Sequence, residues 1–141
     1  MNQLAILYPV FVQVALTFVL LFWTGRVRYV TLSTKQVRAA DIALGEPNWP
    51  SRVTQVGNSF SNQFELPVLF YLLAVLALIT RKSDFVLVVL AWVFVLARCA
   101  HAYIHTTSNR VLVRGRVYGI GALILLAMWI WFLVRLLTAG P

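Results

Sequence analysis

The sequence predicts an all-α integral membrane protein, a bundle of four transmembrane helices. Three observations lead there. The residues are 61% hydrophobic with a mean hydropathy of +0.84. Only 11% are charged, against about a quarter in soluble domains. The apolar residues gather into four stretches, each near the roughly 20 residues a helix needs to cross a bilayer. A surface this poor in charge faces lipid, and the length predicts one four-span domain over residues 1–141.

The first span is expected over about residues 4–24, interrupted only by mildly polar residues such as Gln13 and Thr17. The second, 57–79, carries Asn58, Asn62 and Glu65. The third, 85–105, has Arg98 and His101 near its end, and the fourth, 115–137, is uncharged from Val117 to Val134. In the long connection 25–56, Thr34 is placed to cap a short helix through Leu44, with Gly45 as its stop and Pro47 beyond. Trp49 and Pro50 read as an interfacial anchor and a first-turn proline. Thr80 to Asp84 form a tight turn. Gly115 and Gly119 have the spacing for close helix approach, and Trp129, Trp131 and Phe132 suit an aromatic belt.

The cations orient these spans. Arg26, Arg28, Lys35, Arg38 and Arg52 lie in the first connection, and Arg110, Arg114 and Arg116 in the third. Only Arg81, Lys82 and Arg135 mark the opposite side. This bias predicts a cytoplasmic loop 25–56 and both termini on the non-cytoplasmic side. The net charge of +8 then reflects orientation and anionic headgroups, not nucleic acid, because the cations are dispersed and form no recognition motif. The lone Cys99 excludes an internal disulfide. The first positive charge, Arg26, follows the first apolar run, so no cleavable signal is expected.

A charge at bilayer depth costs at least a few kcal/mol unless it finds a partner or a wet cavity. Asn58, Asn62 and Glu65 share one helical face, as do Arg98, His101, His105 and Asn109. At about 1.5 Å per residue, Glu65 lies roughly 12 Å and Arg98 roughly 10 Å from the inner edge, so the two are expected to pair. A bare ion pair could simply fix helix packing. Two histidines on the same stripe point instead to a lined, hydrated cavity. His101 and His105 also have the spacing of two metal ligands, but Glu65 is the only nearby carboxylate, and no metal is expected. Pro67 removes the hydrogen bond that the Gln63 carbonyl would accept, predicting a kink beside Glu65.

The run Asn62-x-x-Glu65 with a proline soon after, then Arg98-x-x-His101, Arg110, Arg114 and Tyr118, resembles the MAPEG family in a divergent, bacterial-type form. These are the membrane-associated proteins of eicosanoid and glutathione metabolism. The resemblance covers the second, third and early fourth spans. It implies a homotrimer with sites at subunit interfaces, open to the cytoplasm, and glutathione as co-substrate. Asn62 and Glu65 would hold the glutathione amine and backbone. Arg98, His101 and Arg110, with His105 in the same binding set, would orient its carboxylates or brace the cavity. Arg114 would stabilise the thiolate, with Tyr118 beside it. The implied activity is that of a glutathione-dependent transferase or peroxidase acting on a lipophilic electrophile that enters from the lipid. Glutathione-using members commonly carry arginine where this sequence has Asn58 and Ser61, and a tyrosine where it has His105. Two alternatives stand beside this one: a member without glutathione chemistry that binds a lipid or another amphipathic anion, and a structural subunit of a membrane complex.

Overall fold

In the computed structural model, residues 3–138 are described, and all regular structure among them is helical. A 3-10 turn (Gln3–Ile6) leads into α1 (Leu7–Ser33). The second span combines α2 (Ser51–Ser61), a 3-10 turn (Asn62–Phe64) and α3 (Leu66–Ile79). Helices α4 (Phe85–Thr106) and α5 (Val111–Thr138) follow. The four stretches Gln3–Ser33, Ser51–Ile79, Phe85–Thr106 and Val111–Thr138 are each long and apolar enough to cross a membrane. The protein is therefore the all-helical membrane bundle its composition predicts.

The core is a dry seam between α3, α4 and α5, with Phe70 and Leu73 packed on Leu87 and Phe94, and Leu125 and Met128 closing it. The Phe70 and Phe94 rings stand 5.0 Å apart. Large apolar side chains such as Phe22, Ile79 and Leu123 remain exposed around the outside. A continuous exposed apolar surface of this kind needs lipid as its solvent.

Helix boundaries depart from hydropathy where the chain leaves the apolar region. Helix α1 runs to Ser33, well past residue 24, because Arg26 and Arg28 can reach water on long stems and no proline intervenes. It stops in a Schellman motif. Lys35 takes a left-handed φ of 57°, its N–H donates to the Leu32 carbonyl at 3.0 Å, and the Gln36 N–H donates to Thr31 at 3.1 Å. Thr34 is thus the C-cap of α1, and the helix expected from Thr34 to Leu44 is only a 3-10 turn at Ala39–Ile42. There Arg38 grips Asp41 through two hydrogen bonds of 2.8 and 2.9 Å. Those bonds, helped by the guanidinium charge, hold the Asp41 carboxyl below the usual range. Gly45, at φ 84°, turns the chain toward Pro50, and α2 begins at Ser51, ahead of the expected residue 57.

Cation–π contacts fasten this region, with Arg28 over Trp49 at 5.3 Å and Arg52 over Trp23 at 5.2 Å. Gly57 is buried where a Cβ would lie 3.4 Å from Arg28 Nη2, so α1 and α2 approach closely there. Within the protomer, among the described residues, nothing comes within 4 Å of where the Cβ atoms of Gly115 and Gly119 would be.

At the opposite end, Asp84 ties α4 to α5. Its Oδ1 caps α4 by accepting the Leu87 N–H at 2.9 Å. It also accepts Trp131 Nε1 at 3.0 Å, and Arg135 Nε lies 3.0 Å away. Trp131 is therefore a hydrogen-bond donor to the bundle and Phe132 a core residue at 4% exposure, rather than members of a free aromatic belt. Asp84→Ala should lower stability by about 1–3 kcal/mol, the sum of a lost cap and the lost indole bond. Asp84→Asn, which keeps an acceptor, should recover about half of that. Thermal unfolding in detergent measures both, and an unchanged midpoint in the alanine variant would contradict the assignment.

Candidate functional site

The site originates in a helix that cannot continue. Pro67 lies in the first turn of α3, lacks an N–H and crowds the preceding turn. The chain responds by tightening Asn62–Phe64 into a 3-10 turn and placing Glu65 at φ −97°, ψ −107° before restarting at Leu66. Glu65 stands at the middle of the Ser51–Ile79 span. At this irregular turn Arg98 of α4 reaches the Asn62 carbonyl at 3.1 Å and the Asn62 Oδ1 at 2.6 Å, both through Nη2.

The expected Glu65–Arg98 ion pair is replaced by a relay. Among the described residues no salt bridge joins them. Asn62 Nδ2 instead donates to Glu65 Oε2 at 2.9 Å, and the Tyr118 hydroxyl donates to the same oxygen at 2.9 Å. The Arg98 guanidinium lies 5.8 Å from the Tyr118 ring, and the His101 ring 5.6 Å from it. The two charges do converge at one depth, with an amide between them.

Two adjoining cavities, each of about 360 Å³, open from this relay. The inner one is walled by Asn62 and Glu65, by His101 and His105, and by Arg114, Gly115 and Tyr118. The outer one shares His105 and Arg114 and adds Trp49, Thr54, Gln55, Asn58 and Asn109 among others. His101 and His105 are 3% and 5% exposed, their rings 5.6 Å apart, and each Nδ1 is buried without a hydrogen-bond partner among the described residues. Arg114 is half-buried and donates to Asn109 Oδ1 at 2.5 Å. Among the described residues no group of three or more His, Cys, Asp or Glu is placed to hold a metal ion.

Of the residues singled out in the sequence, Asn62, Glu65, His101, His105, Arg114 and Tyr118 line the inner cavity. Arg98 does not: it is 1% exposed, behind Asn62, with Nε and Nη1 unpartnered among the described residues. Arg110 is exposed just before α5 and lines neither cavity. Sequence reasoning missed Gln55, whose Nε2 donates to the His105 carbonyl at 2.8 Å, and Arg52, which donates to the Thr106 carbonyl. These two side chains close the C-terminal end of α4, where the helix dipole favours donors and cations. Their spacing offered a clue, since they fall one turn apart just after Pro50, but their target is remote in the sequence.

The fold is a helical membrane bundle whose second span is broken beside Pro67, with a polar cavity lined by His101 and His105 next to the break. The chain belongs to the MAPEG family, which it matches over residues 6–134. It is thus an integral membrane protein of the glutathione and eicosanoid metabolism family. No curated protein and no solved structure matches it.

Proposed function

We propose that the protein is a glutathione-dependent transferase or peroxidase acting on a lipophilic electrophile at sites between the subunits of a homotrimer. The observation that carries this reading is the inner cavity, where Arg114, Tyr118, Glu65 and both histidines face one space. A thiol is a weak nucleophile until ionised, and a guanidinium beside it favours the thiolate. Arg114 fills that role, Glu65 and Asn62 receive the ammonium and amide groups of the ligand, and the Tyr118 hydroxyl, held by Glu65, stays beside the sulfur. The thiolate forms a bond to the electrophilic carbon as the leaving group departs with its electron pair. With a hydroperoxide, sulfur takes the terminal oxygen, the alcohol leaves with a proton, and a second thiol converts the sulfenic acid to disulfide and water.

Burial supports the trimer. Glu65 is exposed on the protomer although it sits at mid-span, where a carboxylate facing hydrocarbon is costly. A neighbouring copy over that flank removes it from lipid. The cation bias supports a cytoplasmic mouth and loop, with both termini on the other side.

Arg114→Ala should lower kcat/KM for conjugation of glutathione with a general electrophile by about tenfold or more, near 1.4 kcal/mol of transition-state stabilisation. Equal rates would sink the transferase reading. A second reading, a member that binds a lipid or another amphipathic anion without thiol chemistry, is favoured by the neutral Asn58 in the outer cavity and by Arg110 lying outside both. It predicts that glutathione leaves thermal stability unchanged while some lipid raises it.

A further inference from the structure

Ionising a thiol releases a proton, and an alkoxide leaving group takes one up. His105 and Arg114 wall both the inner and the outer cavity, so they flank the neck between them. A neighbouring copy adds walls there without removing either. His105 stands in the last turn of α4, where the helix dipole favours an imidazolium. Gln55 holds its carbonyl at 2.8 Å, and its buried Nδ1 has no hydrogen-bond partner among the described residues. The other groups nearby are committed. The Tyr118 hydroxyl and the Asn62 amide both donate to Glu65, and His101 lines the inner cavity alone. The Arg114 guanidinium does not release its protons.

We propose that His105 is the proton shuttle of this site and tunes it to hydroperoxides, whose leaving atom is oxygen, over electrophiles that lose a halide. The proposal rests on the thiol reading above. The imidazole takes the thiol proton as the thiolate forms against Arg114, and the imidazolium and thiolate balance each other's charge. Sulfur then bonds to the terminal peroxide oxygen, the O–O bond breaks, and its electron pair leaves on the inner oxygen. The imidazolium returns its proton to that oxygen. Thiol and hydroperoxide thus become sulfenic acid and alcohol, with His105 neutral again, and a second glutathione thiol converts the sulfenic acid to disulfide and water. A halide is a stable anion, so the proton on His105 does nothing for its departure.

The test uses the full chain in nanodiscs with glutathione, and compares cumene hydroperoxide with chlorodinitrobenzene. His105→Gln and His105→Phe should each lower kcat/KM for the hydroperoxide by about a hundredfold, and by at least about tenfold more than for the aryl chloride. Both reactions use one fold and one thiol site, so their ratio is blind to a loss of stability or of thiol affinity. Equal proportional losses mean that His105 only braces the cavity, and overturn the proposal. Wild-type protein that conjugates the aryl chloride but leaves the hydroperoxide untouched overturns it too, while the thiol reading stands. Turnover of neither overturns both. A second measurement needs no variant: across hydroperoxides whose alkoxides rise in basicity, wild-type kcat/KM should stay level within about threefold, because the proton arrives as the bond breaks. A steep fall with alkoxide basicity overturns the shuttle.

Discussion

Arg98→Ala is expected to destabilise the protein by about 3–5 kcal/mol, whereas Arg98→Met should keep the fold within about 2 kcal/mol and still lose ligand binding. Arg98 heads the fully buried side chains in size, so alanine leaves a large void beside an Asn62 stripped of its donor. Methionine refills most of that volume. It also removes a buried cation that, among the described residues, makes hydrogen bonds through Nη2 and leaves Nε and Nη1 unpartnered. Replacing poorly compensated buried charge with apolar bulk is often neutral, so the remaining loss is one set of hydrogen bonds to Asn62, about 1–2 kcal/mol. Without Arg98, however, the Asn62 amide keeps its bond to Glu65 but loses the donor to its Oδ1 and carbonyl, and the wall of the inner cavity loses its geometry. Thermal unfolding in nanodiscs separates the two effects on stability, and calorimetry with the thiol ligand reports on the site. If methionine unfolds the protein as readily as alanine, the guanidinium itself holds the bundle and the relay is secondary.

The spans and the polar stripes were legible in the sequence because both follow from simple periods, hydropathy over about 20 residues and side chains recurring each turn. Depth was legible too: counting rise per residue brought Glu65 and Arg98 to one level, and the relay through Asn62 occupies that level. The direct ion pair was not, because which acceptor a long guanidinium chooses depends on the broken turn at Glu65, a conformation set by Pro67 and not by periodicity. Helix ends misled for a related reason. Hydropathy marks where lipid stops, and α1 continues beyond that point to Ser33 because nothing breaks it. Arg110 and Arg114 were both expected at the site, yet α5 starts at Val111, which leaves Arg110 before the helix and carries Arg114 one turn into the cavity wall. Gly115 and Gly119 signalled permission for close approach without naming a neighbour, and the protomer supplies none. Gln13, passed over as mildly polar, is fully buried in a contact no local pattern announces.

That contact yields the second large effect. Gln13 Nε2 donates to Gln63 Oε1 at 2.9 Å, and Gln63 Nε2 donates to the Ser59 carbonyl one turn back at 2.9 Å. Both side chains lie at 1% exposure or less, in a region without bulk water. Gln63→Leu should lower stability by about 1–2 kcal/mol, because the buried Gln13 Nε2 then loses its Gln63 acceptor. Gln13→Leu should lose about as much for the converse reason. In Gln13→Leu/Gln63→Leu neither orphan remains, and two leucines pack where the amides met, so the double variant should be no less stable than either single one. That coupling, about 1 kcal/mol or more, is read from a double-mutant cycle in thermal or denaturant unfolding. Strictly additive losses would mean that α1 is held to the second span by its other contacts, the cation–π pairs, the apolar packing and the Gly57 approach. Ligand affinity should not recover in the double variant, since Gln63 belongs to the same 3-10 turn as Asn62 and its bond to Ser59 steadies the residue that Arg98 and Glu65 share. Recovery of stability without recovery of binding would therefore locate the function of this pair in the turn that Pro67 forces, one residue from the site.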